Sequence, residues 1–248
     1  MKSVSGKERK KGEIGKKIAA IIGGVSIGVV HCAAFIACGK ALSVKETFAE
    51  SGGVKVVLDA GHGGVDGGVT GRTSGVKESD LNLKIVYLAA EKLSEVGFEV
   101  ILTRKTEEGL YGAATKGFKK RDMLRRKEII EAEEPTIVVS VHQNYYPSGF
   151  SRGAQAFYKK GSEEGMALAE RLQEAFNALY GAKGVKKRNA ATGDFFMLSC
   201  SDCPSALIEC GFLSNVKDEA LLCDGAFQRA AAQAIVEGVV GFIGDAHA

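Results

Sequence analysis

The chain has 248 residues, 45% hydrophobic and 25% charged, proportions that exclude a wholly disordered polypeptide. Three Pro and 32 Gly without a G-X-Y period exclude a collagen and a proline-rich spacer. The net charge of +3 is unevenly placed: residues 1–42 carry eight Lys/Arg against two acids, and residues 43–248 carry 25 basic against 28 acidic side chains, so the body is mildly acidic and nucleic acid is not an expected partner.

Residues 1–17 form a basic tail, followed by an uncharged run from Ile18 to Cys38. At about 1.5 Å per residue in a helix, that run approaches the thickness of a bilayer core. The positive-inside rule keeps the tail in the cytoplasm and exports the body. Residues 18–41 therefore read as a cleaved signal peptide or, if uncleaved, a membrane anchor through residues 18–38. Phe35-Ile36-Ala37-Cys38 also has the look of an imperfect lipoprotein cleavage box. Residues 42–53 read as a linker.

The body alternates strands and helices. Val54–Asp59 is a β-branched strand, followed by a Gly-rich loop to about Ser79. Leu81, Ile85, Leu88, Ala89, Leu93 and Val96 recur at helical spacing, with Ser79 or Asp80 as the cap and Gly97 as the stop. Phe98–Thr103 predicts a strand, residues 104–119 a polar loop, and Lys120–Ala132 a charged helix. Thr136–Val141 is a strand nearly continuous in apolar character, as in a buried parallel sheet. Gly153–Tyr158 predicts a strand, Glu163–Leu179 a helix, and residues 180–194 a loop with the basic cluster Lys183, Lys186, Lys187 and Arg188. Phe195–Leu198 and Ser205–Glu209 read as short strands, and two helices near Val216–Leu222 and Ala226–Phe242 close the chain. The alternation predicts one α/β layered domain over residues 54–243 with a mostly parallel sheet.

Cys32 and Cys38 lie in the apolar run. Cys200, Cys203, Cys210 and Cys223 admit three readings: a four-Cys metal site, a disulfide in an exported protein, or buried free thiols.

Three polar residues stand where predicted strands end: His62 after VKVVLD and a Gly turn, His142 after TIVVSV, and Glu209 at the end of SALIE. In open parallel sheets, sites form outside the carboxyl ends of the strands. Glu78, at the start of the first helix, returns to the same edge. Two His and one carboxylate suit zinc with a position left for water, and a surplus Glu suits a general base. Each residue alone also has a structural reading, Glu78 as a helix-dipole partner above all. The loop Gly61-His62-Gly63-Gly64-Val65-Asp66 does not complete G-x-G-x-x-G, because Asp66 occupies the third Gly position, and no G-K-[S/T] follows.

Four motifs then occur in order: Leu58-Asp59-Ala60-Gly61-His62-Gly63-Gly64; Lys77-Glu78-Ser79-Asp80-Leu81-Asn82-Leu83; Ser140-Val141-His142-Gln143-Asn144; and Pro204-Ser205-Ala206-Leu207-Ile208-Glu209-Cys210-Gly211-Phe212-Leu213-Ser214-Asn215. The chain thereby resembles the zinc-dependent N-acetylmuramoyl-L-alanine amidases of the amidase-3 type, over about residues 54–243. The resemblance implies a six-stranded, largely parallel sheet. It implies zinc held by His62, Glu78 and His142, and Glu209 as the catalytic carboxylate. The implied reaction is hydrolysis of the amide between the lactyl group of N-acetylmuramic acid and L-Ala of the peptidoglycan stem, by a zinc-bound water. Asn144 and Arg152 are expected substrate contacts on the loop after His142, with Tyr145 and Tyr146 beside them. Two departures stand out: Ala60 where many members have Pro, and Cys210 where many have Thr, a thiol expected to make the enzyme oxidant-sensitive.

A short chain with an apolar N-terminal segment and no wall-binding repeat further resembles the spore-cortex amidases, whose product feeds muramic-δ-lactam formation. Peptidoglycan is the expected substrate, and an activating lipoprotein or other cell-wall protein the expected partner. The alternatives are a general autolysin, a zinc peptidase acting within the stem, and a catalytically inactive peptidoglycan-binding protein on the same fold.

Overall fold

A computed structural model describes residues 53–246, and the expectations for the basic tail, the apolar run, Cys32 and Cys38 lie outside them. Six strands run β1 (Lys55–Ala60), β2 (Glu99–Leu102), β3 (Ile137–Asn144), β4 (Gln155–Tyr158), β5 (Ala191–Thr192) and β6 (Ser205–Phe212). Five helices run α1 (Glu78–Val96), α2 (Phe118–Glu133), α3 (Glu163–Gly181), α4 (Val216–Cys223) and α5 (Gly225–Ala246). The strands form one sheet in the order β2-β1-β3-β6-β4-β5. β2, β1, β3 and β6 are parallel, while β4 runs antiparallel to β6 and parallel to β5. This is the expected α/β domain with a mostly parallel six-stranded sheet.

The strand sequences explain the layering. Side chains alternate across a strand, so β1 serves both faces with apolar residues. Val57 and Val138, neighbours in register, pack with Ile130 of α2 and with Met197 and Cys200. The alternate residues Val56, Leu58 and Val139 are fully buried toward the other layer. There α5 packs on α1 and α3, and α1 and α3 pack on the sheet. In α1 the buried stripe is Leu81, Ile85, Ala89 and Leu93, and Gly97 ends the helix in the left-handed conformation. Among the described residues no helix is long and apolar enough to cross a membrane.

Four local expectations are corrected. Phe195–Leu198 is no strand: Phe196–Leu198 form a single 3-10 turn that buries Met197 and Leu198, because a four-residue apolar run has no period of its own. β5 lies inside the expected basic loop. β3 continues through His142 to Asn144 and β6 through Glu209 to Phe212, so both residues sit within strands rather than at their ends. Lys77, rather than Ser79 or Asp80, precedes the first turn of α1, and its side chain makes no capping bond.

The four described cysteines are free thiols, so neither a disulfide nor a four-Cys metal site forms. Cys210 is fully buried, and burial pushes its thiol far above the usual range. The expected oxidant sensitivity next to Glu209 is therefore corrected: a neutral, enclosed thiol is inert.

Candidate active site

The order β1-β3-β6 brings the separated motifs together. Gly61 N–H donates to Val141 O across the ends of β1 and β3, which sets His62 beside His142 with ring centroids 5.1 Å apart. His142 and Glu209 are direct partners in the β3–β6 register. Glu78 opens α1, where the helix dipole favours its negative charge. One carboxylate oxygen joins the set: Glu78 Oε1 lies 3.3 Å from His62 Nε2 and 2.9 Å from His142 Nδ1. Glu78 Oε2 accepts from the Val69 amide at 2.9 Å.

Ligand atoms of His62, Glu78 and His142 all lie within 4.8 Å of one another, the one such His/Cys/Asp/Glu group among the described residues. Two imidazoles and a carboxylate are a donor set suited to zinc with an open position. Asp66 adds the outer partner that ligating histidines commonly have: its Oδ2 is 3.1 Å from His62 Nδ1, and Lys119 Nζ is 3.1 Å from its Oδ1. The electrostatics follow the contacts. Burial works against charging His62, but Glu78 and Asp66 outweigh it and raise its pKa. Burial likewise opposes ionisation of Glu78, and the two histidines reverse that and hold it far below the usual carboxylate range.

Glu209 differs from its neighbours. It lines the same cleft as the three residues, with Asn144 and Tyr145. Its Oε2 is shielded from solvent and has no hydrogen-bond partner. Burial, with the charge of Glu78 added, pushes its carboxyl up to about 7 against the opposing pull of His142 and His62. A carboxyl poised near neutrality in a cleft is fitted to take and return a proton.

The backbone around His62 is strained and clamped. His62 has φ +62°, a left-handed conformation that costs about 1 kcal/mol or more outside glycine. Arg126 donates to the His62 carbonyl at 2.6 Å and the Ala60 carbonyl at 2.7 Å. Arg104 ties the Gly61 carbonyl at 3.2 Å to the Ser79 carbonyl at 2.8 Å, joining the turn to α1. Gly61 is required here because a Cβ on it would overlap the His142 ring. A Cβ on Gly68 (φ +67°) would likewise strike Glu78 Oε2.

The structure thus brings together four of the six expected residues, and places Asn144 on the cleft wall. Arg152 is elsewhere: its Nε donates to the buried Asp218 at 2.9 Å, and it does not line the cleft. Asn82 Nδ2 donates to the Gly61 carbonyl at 3.1 Å and to Glu78 Oε1 at 3.4 Å, and the positioning roles of Asp66, Asn82, Arg104 and Arg126 are not assigned by the sequence alone. Asp66, four residues after His62 in a turn, was the one with a readable signal.

A family model described as N-acetylmuramoyl-L-alanine amidase matches residues 56–240. The chain belongs to that family. It is 32% identical over 190 residues to the germination-specific N-acetylmuramoyl-L-alanine amidase of Bacillus subtilis (strain 168), covering 75% of this chain and 78% of the relative. It is similar to the CwlD amidase from Clostridioides difficile, solved in complex with the GerS lipoprotein: TM-score 0.74 and 33% identity over 77% of this chain and 99% of that one. The catalytic domain of CwlV, an amidase from Bacillus (Paenibacillus) polymyxa var. colistinus, matches with TM-score 0.66 and 29% identity over 77% and 98% of the two chains. The amidase family thus accounts for both the fold and the enzyme class.

Proposed function

We propose that this amidase hydrolyses the bond between N-acetylmuramic acid and the L-Ala of peptidoglycan stem peptides, with His62, Glu78 and His142 as the ligands of a zinc ion. The observation that carries the reading is the convergence of those three side chains with the unpartnered Glu209 carboxyl in one cleft. A zinc ion bound there supplies a Lewis acid that polarises a carbonyl and lowers the pKa of a bound water toward about 7. Glu209 is the general base: its Oε2 receives the proton of the attacking water and returns it to the departing L-Ala amine. Asp66 holds the His62 ring so that Nε2 faces Glu78. Asn144 commits its Oδ1 to the Tyr145 amide at 2.7 Å, leaving its amide nitrogen to meet substrate.

The germination-specific name of one relative supports a role in spore-cortex maturation, upstream of muramic-δ-lactam formation. The GerS complex of another supports a lipoprotein partner. Both roles imply an exported enzyme acting outside the cytoplasmic membrane. The test is mass spectrometry of peptidoglycan digested with the zinc-loaded full chain. Stem peptides with a free L-Ala amine beside peptide-free muramic acid are expected; cleavage within the stem would assign a peptidase instead.

A further inference from the structure

The basic cluster of residues 183–188 has no part in the cleft, yet the fold carries it to the same edge of the sheet. β4 runs antiparallel to β6, and Gln155 pairs with Glu209. The residues just before β4 therefore lie beside the carboxyl-terminal residues of β6. The loop from Tyr145 to Ser151 has one end on the catalytic cleft and the other in a second pocket of about 520 Å³. From Asn144 to Arg152 is at most about 28 Å at full extension.

That second pocket is built rather than incidental. Buried Asp218 accepts from Arg152 Nε at 2.9 Å and from Gly153 N–H at 2.7 Å. Arg188 Nη2 donates to the Arg152 carbonyl at 3.2 Å, and its guanidinium lies 5.3 Å from the Phe212 ring centre. Asn177 fixes the Arg188 backbone from α3, donating to its carbonyl at 2.7 Å and accepting from its amide at 3.0 Å. On this frame stand Lys186 and Lys187, both exposed, and neither ammonium has a hydrogen-bond or ion-pair partner among the described residues. Four cations line the pocket with no acid, and Asp218 offsets only Arg152. This surplus runs against the acidic balance of residues 43–248. Phe150, 88% exposed, stands at its mouth and offers an apolar ring to a sugar face.

We infer that the pocket of Phe150, Arg152, Lys186, Lys187 and Arg188 is a second substrate subsite, which holds carboxylates of stem peptides on the peptidoglycan strand whose amide lies in the cleft. The inference rests on the peptidoglycan reading above. Its ligand chemistry follows from the site: unpaired cations select carboxylates, and the Tyr145–Ser151 loop runs from the cleft to the subsite. Lys186 and Lys187 therefore act on binding of the strand, not on the bond being broken.

The test compares the full-length parent with K186Q/K187Q and with K159Q/K160Q. The second pair makes the same charge change at exposed residues that follow β4 on the opposite edge. Pelleting with peptidoglycan and KM for stem-peptide release are measured across a salt series, with the melting temperature as a check on folding. K186Q/K187Q is expected to weaken pelleting and raise KM by about three- to tenfold at low salt, the scale of two exposed ion pairs, with kcat unchanged. The difference vanishes on peptidoglycan whose carboxylates have been converted to amides, and K159Q/K160Q matches the parent. No loss, an equal loss in both double variants, or a loss that persists on amidated peptidoglycan overturns the subsite. Unchanged pelleting with loss of an acidic protein's binding gives the pocket to that partner instead. If the parent pellets but releases no stem peptide even with a lipoprotein partner added, the substrate reading fails, and pelleting of the variants alone still decides the subsite.

Discussion

Asp59 and Glu209 are both carboxylates on parallel strands, Asp59 fully buried and Glu209 half-buried with its Oε2 shielded from water, and they have opposite fates. Asp59, on β1, is fully buried and fully served: Thr103 Oγ1 donates at 2.6 Å, Ser140 Oγ at 2.6 Å and Arg126 Nη1 at 2.5 Å. Burial alone would raise its pKa, but Arg126, Ser140 and Thr103 outweigh burial and hold it at about 2. Glu209, on β6, has an oxygen with no donor at all, and its carboxyl rises to about 7. A carboxylate with both oxygens hydrogen-bonded and a guanidinium beside it is a permanent charge and an anchor for the frame. One deprived of donors is free to exchange a proton.

The most direct way to break this comparison is to remove each acid's function separately. Glu209→Gln is expected to lower kcat by about 10²–10⁴-fold, the range for losing a general base, with the zinc content unchanged. Turnover and metal analysis on one preparation check it, and near-parental turnover removes Glu209 from the chemistry. Arg126→Met leaves Asp59 buried and unpaired, for an expected loss of about 3–5 kcal/mol in urea unfolding. A loss below about 1 kcal/mol would mean that the Asp59 charge is not held as described.

Smaller effects sharpen the contrast. In chelator-treated protein, the raised pKa of Glu209 is a stability deficit that appears as pH rises from the unfolded carboxylate value toward 7. Glu209→Gln is then more stable than the parent at pH 8 by about 1–3 kcal/mol, and equal to it near pH 4, read by denaturant melts. Asp66→Asn keeps the shape of the turn but weakens the hold on His62. Zinc affinity is expected to fall about 10–100-fold in competition with a chelator, while the melting temperature of the metal-free protein changes little. Asp59 gives the opposite pH sign to Glu209. Its depressed pKa contributes about 2 kcal/mol above the unfolded carboxylate value, and that stability is lost as pH falls through about 2. An acid titration of the Asp59→Asn variant should lack that component.

The site was more legible than its support. His62, His142 and Glu209 could be found because β-branched runs mark the strands that precede or contain them, and parallel strands send their carboxyl ends to one edge. Glu78 followed because the helix after β1 returns to that edge. Arg126 was hidden among the alternating charges of α2. Helical spacing puts Asp122 and Arg126 on one face, but spacing does not say that this face lies over Asp59. The place of Arg152 was hidden for a related reason: it is near His142 in sequence, but the buried Asp218, 66 residues further on, holds its guanidinium outside the cleft.

By itself the sequence determined the alternation of strands and helices, the order of the four motifs, and the residue types of the metal-suited triad and of the carboxyl proposed as its base. Those depend on local period and on residue type, which are properties of short stretches. The tertiary structure alone decided the reversal of β4, the turn at Phe196–Leu198, the closure of Cys210 and the pairing of Asp59 with Arg126. It also decided that Glu209 has no donor while Asp59 has three. Each of these depends on which atoms arrive from distant parts of the chain, and the protonation of a buried carboxyl is set by those neighbours rather than by the residue that bears it.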